Sequence, residues 1–224
     1  FQQECCTAAP AAMLLGIIEG VLTHPDCLGV IISTRPDHVH EEFLSPLAEL
    51  LRSSGKECLF ELGLQSIHDR SLILLNRNHS VNDFLRAHRL ITSFPQLQIG
   101  AHLIFGIPGE TTADMLDTVR SVSGLGVHAL KLHHLQVLRD TVLHEMHMRG
   151  KVKTFTEDEY MEFLLLALPV IPSEIVIHRL WASSHPGLLV SPKWNVLATH
   201  LSRKLQDMMQ ERKLWQGSAL DCAQ

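Results

Sequence analysis

Short continuous apolar runs alternate along the chain with longer amphipathic stretches. Leu28 to Ile32, Glu57 to Gly63, Leu97 to Phe105, Ala129 to Leu132 and Glu174 to His178 have the length and apolar content of buried strands. Between them the period changes to that of a helix. Pro10 fits the first turn of a helix running to about Leu22. Glu41 to Leu51 carries Phe43, Leu44, Leu47 and Leu51 on one stripe. Another helix opens near Asp69. Ser80 with Asp83, Thr111 with Asp114, and Thr156 with Glu159 each read as a capping box, which starts a helix by satisfying its first amides. The first of these helices covers Val81 to Ile91, and the second carries Met115, Leu116, Val119 and Val122 until Gly124 and Gly126 stop it. The third buries Tyr160, Phe163, Leu164 and Ala167, and Val196 to Leu214 forms a last helix. Strands alternating with helices at this spacing imply a parallel sheet and an α/β fold class.

The polar residues interrupt this pattern at one place in each unit, just where a strand ends. Ser33-Thr34-Arg35-Pro36-Asp37, Gln65-Ser66, Gly106-Ile107-Pro108-Gly109, Lys131-Leu132-His133-His134 and His178-Arg179 all occupy that position. In an α/β barrel these strand tips form the rim where chemistry is done, so five of them in succession favour one shared ligand site. Each tip also has a plain structural reading. Arg35 either forks onto a ligand carboxylate or phosphate, or pairs with Asp37 within its own turn. Glu61, inside an apolar strand, needs a partner, and with Gln65 it forms either a ligand contact or a structural polar network. Asn76-Arg77-Asn78-His79 either orients an anion or caps a helix. His102 to Glu110 is a ligand-backing turn or simply a tight connection. Alternation along the strand puts Lys131 and His133 on one face and His134 on the other, an arrangement that suits hydrogen bonding better than zinc. No residue is assigned as a metal ligand.

Composition narrows the setting. A length of 224 residues with 46% hydrophobic and 19% charged residues allows one large domain with a full core. The formal charge of −5 gives no mark of a general nucleic-acid binder. No apolar run reaches the roughly 18 residues of a membrane span, and no signal peptide is recognisable. Cys5, Cys6, Cys27, Cys58 and Cys222 are odd in number and irregularly spaced, which argues for a reducing, cytoplasmic location. The adjacent Cys5-Cys6 pair lacks the gap usual in metal sites. The chain opens on Phe1 rather than Met, so its N-terminus is expected to be missing or processed. Gly150 to Phe155 is the expected boundary between a barrel part, 1–150, and a mostly helical C-terminal extension, 151–224.

Taken in order, these motifs resemble those of the radical S-adenosylmethionine (radical SAM) enzymes, in the elongator-like subgroup and its YhcC-type family. The resemblance rests on Phe1-Gln2 with Thr7 and Pro10, Thr34-Arg35-Pro36-Asp37, and Glu61-Leu62-Gly63-Leu64-Gln65 with His68-Asp69. It continues through Asn76-Arg77 with His79, His102 to Glu110, Lys131-Leu132-His133, His178-Arg179 and Trp215 to Leu220. It implies a partial (β/α)6 TIM-like barrel that binds SAM beside a 4Fe-4S cluster and generates a 5′-deoxyadenosyl radical for hydrogen abstraction from an unknown substrate. An electron donor such as flavodoxin or ferredoxin is implied as a partner. By position, Gln2 meets the methionine group of SAM, and Gln65 and Arg77 match further SAM contacts. His102 stands where an acidic SAM ligand is usual, and Gly106 to Gly109, with Pro108, back the adenine. Thr7, Arg35 and Glu61 complete the expected cofactor set, with Lys131 and His133 facing the radical or the substrate.

The three-cysteine cluster motif of that family is absent from the chain and is expected upstream of Phe1. Glu4-Cys5-Cys6, Ser33, Asn78, His134, Gln136 and Asp140 also depart from the usual residues at their positions. Two other readings therefore stay open: a non-catalytic descendant that binds a nucleotide or a protein, and a histidine-dependent metal hydrolase on the same barrel.

Overall fold

A computed structural model of the chain describes residue 1 and residues 5–221. Seven strands are described: β1 (Gly29–Thr34), β2 (Glu57–Gln65), β3 (Leu97–Phe105), β4 (Ala129–His134), β5 (Val137–Leu138), β6 (Val176–Arg179) and β7 (Leu189–Ser191). Five of them form one sheet in the order β1-β2-β3-β4-β6, and each neighbouring pair is parallel. The helices are α1 (Ala11–Leu22), α2 (Glu41–Ser54), α3 (Asp69–Leu74), α4 (Val81–Thr92), α5 (Thr112–Gly124), α6 (Val142–Met148), α7 (Glu157–Ala167), α8 (Ala198–Glu211) and α9 (Ser218–Asp221). The alternation is that of a partial α/β barrel, as expected, with five parallel strands among the described residues.

The apolar pattern accounts for the packing. In β2, Cys58, Leu59, Phe60, Leu62 and Leu64 are all buried, the signature of a strand covered on both faces. The expected stripe of α2 is the buried one: Phe43, Leu44, Leu47 and Leu51 join the core beneath β1 and β2. Residues of α7 and α8, including Phe163, Leu164, Leu201 and Leu205, share that same core. The three capping boxes form as expected, at Ser80, Thr111 and Thr156. Replacing Thr156 with Ala removes the acceptor of the Glu159 amide and is expected to cost about 1 kcal/mol in urea unfolding.

Two pieces were not foreseen. A short antiparallel pair, β5 with β7, joins segments about fifty residues apart and rests on a small separate cluster of Leu135, Val137 and Val152. Helix α6 follows it, capped by Thr141. The last strand is shifted to Val176–Arg179, and the final long helix is shorter than its periodicity predicts. No helix among the described residues is long and apolar enough to cross a membrane.

Candidate functional site

The strand tips enclose a cleft of about 640 Å3 walled by Cys5, Ser33, Thr34, Arg35, Glu61, Gly63, Gln65, Arg77, His102, Ile104, Lys131, His133 and Arg179. That volume suits a nucleotide-sized ligand. Of the residues expected from sequence, Arg35, Glu61, Gln65, Arg77, His102, Lys131 and His133 meet here. Thr7 stands behind the wall, its hydroxyl 2.5 Å from that of Thr34. Gln2 lies outside the described residues. Gly106 and Pro108 wall a neighbouring cleft of about 450 Å3, with Lys151, Lys153 and Phe155 opposite. Gly106 has φ of 86°, and a Cβ there would come within 2.9 Å of the Phe155 ring, so both conformation and contact exclude a side chain.

Glu61 is the hub of the cleft floor. Its carboxylate accepts from Lys131 Nζ at 2.6 Å and from Ser33 Oγ at 2.9 Å, and lies 3.2 Å from His178 Nδ1. Burial by itself would raise its pKa. The Lys131, His178 and Ser33 donors outweigh that and hold it below the ordinary carboxylate value. The open alternative for Arg35 also resolves locally: its guanidinium forks onto Asp37 at 3.0 and 2.5 Å.

Gln65 and Arg77 differ from these. Gln65 sits at the end of β2 with φ of 77°, a left-handed conformation costly for a residue other than glycine. It is only 5% exposed, and its Oε1 has no hydrogen-bond partner. Arg77 is half-buried, and its Nε is likewise unpartnered. Its one described hydrogen bond is a long one, from Nη2 to the Gly63 carbonyl at 3.5 Å. Burial, followed by the nearby Arg35 charge, lowers its pKa. Gly63 makes room for both: a Cβ at that position would lie 3.0 Å from Gln65 Nε2 and 3.1 Å from Arg77 Nη2. Two buried groups are thus held ready with their hydrogen-bonding capacity unspent.

On β3 and β4, His102 Nε2 and His133 Nδ1 are 2.6 Å apart with the rings nearly perpendicular. Burial, then the Lys131 charge, lowers His102 to about 4. Burial, then its neighbour His102, lowers His133 to about 2. One ring donates and the other accepts, so the pair is neutral near pH 7. His134 points the other way, as alternation requires, onto Tyr160 and Trp194. Because these histidines stay neutral when folded but protonate near 6.5 when unfolded, stability is complete above about pH 6.5 and falls as the pH drops toward 4. Urea unfolding at pH 7 and pH 5 should therefore give the lower midpoint at pH 5, and His102→Gln should reduce the difference.

Sequence reasoning did not place Cys5 or Ile104 at the site, and it put Ser33 and Arg179 at strand tips without giving either a ligand role. Arg179 arrives through a register shift: Leu130 pairs with Ile177, but Lys131 pairs with Arg179. This bulge at His178 lets both His178 and Arg179 face inward, where simple alternation allows only one. No periodicity in the sequence signals it.

Among the described residues no three His, Cys, Asp or Glu side chains are grouped to hold a metal. Residues 127–211 match the family described as the Radical_SAM C-terminal domain. YtqA of Bacillus subtilis, an uncharacterised protein, is 30% identical over 97% of this chain and 66% of its own length. YhcC of Escherichia coli is 30% identical over 87% of this chain and 62% of its own. The chain thus spans just under two thirds of these relatives. The solved structure of archaeal Methanocaldococcus infernus Elp3 superposes with a TM-score of 0.77 at 23% identity, covering 93% of this chain and 52% of that one.

Proposed function

The chain belongs to the elongator-like, YhcC-type branch of the radical SAM superfamily, and we propose that its strand-tip cleft binds SAM through Gln65 and Arg77. The observation that carries this reading is the pair of buried, unpartnered groups on these two residues. A carbonyl oxygen accepts from an ammonium, and a guanidinium donates to a carboxylate. Together they match the amino-acid end of SAM. The left-handed backbone of Gln65 is the kind of strain that persists where a ligand uses it. Glu61 keeps Lys131 in place, and the neutral histidine pair supplies polar contacts without adding charge. Gly63 keeps the space that the Gln65 and Arg77 side chains fill.

SAM, when bound and given one electron, supplies a 5′-deoxyadenosyl radical that abstracts hydrogen. The described residues do not fit the 4Fe-4S cluster that delivers such an electron. Cys5 and Cys6 are neighbours, Cys58 is buried with its thiol pushed up to about 12, and among the described residues no three cysteines converge. In this reading the thiolates come from sequence beyond this chain, and flavodoxin or ferredoxin reduces the cluster. Full-length protein reconstituted with iron and sulfide under argon is expected to form 5′-deoxyadenosine from SAM. An intact, reduced cluster that yields none would sink the radical-forming activity. The departures from the family's usual residues at Ser33, Asn78 and His134 fit a second reading, a binding-only descendant. SAM that is bound but never cleaved by the full-length protein would establish it.

A further inference from the structure

The cations around the cleft are not all accounted for by the protein's own acids. Lys131 pairs with Glu61, and Arg35 pairs with Asp37. Arg77 and Arg179 have no acidic partner within ion-pair distance among the described residues, although the chain as a whole is acidic at −5. The two stand at different ends of the cleft. Arg77 packs on Gly63 of β2, whereas Arg179 belongs to β6, three strands along the sheet.

SAM satisfies only one of them. It carries a sulfonium and an ammonium against a single carboxylate, so its arrival uses Arg77 and adds positive charge to the cleft. Resting on the SAM reading above, we infer that Arg179 anchors an anionic group of the substrate, a carboxylate or a phosphate. The bulge at His178 turns this arginine inward beside Lys131, its register partner. A guanidinium offers a planar fork that fits either anion in bidentate fashion. Arg179 remains exposed at the mouth, so an incoming group reaches it without displacing the fold. Arg179, His102 and His133 wall the same cleft. His133 Nε2, buried and unpartnered, is an uncommitted polar atom of the same cleft. The substrate of this protein is thereby narrowed to molecules that carry an acid group.

The test is calorimetric titration of inorganic phosphate, and separately of succinate, into the chain already saturated with SAM. Wild type should bind at least one of the two, more weakly as salt is raised, and the tighter probe identifies phosphate or carboxylate. Arg179→Gln should weaken that probe about tenfold or more, with SAM affinity held within about twofold. Arg179→Lys should recover part of the loss, since charge returns without the fork. Arg77→Gln should do the opposite, weakening SAM and sparing the anion. Equal anion affinity in wild type and Arg179→Gln, or no anion binding to the SAM-loaded chain, would overturn the inference. Failure of SAM itself to bind the wild-type chain would overturn the SAM reading instead, and the two failures are therefore told apart.

Discussion

Replacing Lys131 with Met is expected to cost about 3–5 kcal/mol of folding stability, the usual effect of leaving one member of a buried ion pair behind. Glu61 is 5% exposed, and Lys131 supplies its shortest contact, at 2.6 Å. Ser33 and His178 remain after the substitution, but neither carries the fixed charge of a lysine. The pH dependence gives a second signature. In wild type the carboxylate is held below its ordinary value, so its contribution is present above about pH 4.5 and lost as the pH falls through the folded value. Without Lys131 the charged form is the liability, and the deficit relative to wild type should shrink as Glu61 takes up a proton. Adding Glu61→Gln to the Lys131→Met variant should restore part of the loss. Urea unfolding followed by tryptophan fluorescence measures all three; a loss under about 1 kcal/mol would show that the pair is not the hub described.

Arg77→Gln should behave in the reverse way. Losing a charge-assisted contact to a buried carboxylate costs about 2–5 kcal/mol of binding, or roughly 30-fold to 3,000-fold in SAM affinity. Folding stability should barely change, within about 0.5 kcal/mol. Arg77 has no acidic partner within ion-pair distance among the described residues, its hydrogen bond to Gly63 is long, and burial already disfavours its charge. A residue that is nearly neutral for the fold and large for the ligand is one kept for binding. A large loss of stability in this variant, with SAM affinity intact, would reverse its assignment.

How much of this was legible in the sequence depended on how local each feature is. The capping boxes at Ser80, Thr111 and Thr156 need only four consecutive residues, and all three form. Leu97–Phe105 is a strand over the full expected range because its apolar run is long enough to be unambiguous. Alternation placed Lys131 and His133 on the face opposite His134. The pairing of Arg35 with Asp37 was one of two local alternatives, and only the folded turn decides between them. What stayed hidden depends on distant partners. Val137–Leu138 is too short to announce a strand and becomes one only against Leu189–Ser191. Arg179 enters the cleft by a bulge, which shifts register without changing the apolar pattern. Gly106 and Pro108 wall their cleft together with Phe155, which comes from a segment nearly fifty residues later.

The claim on which the rest depends is that SAM occupies the cleft at Gln65 and Arg77. Hydrogen–deuterium exchange of the chain, with and without saturating SAM, tests it most directly because it reports where a ligand sits as well as whether it binds. SAM is expected to slow exchange in peptides covering residues 61–79 and 102–106, with little change across α8. No protection at saturation, or protection confined to segments away from these strand tips, would contradict the account.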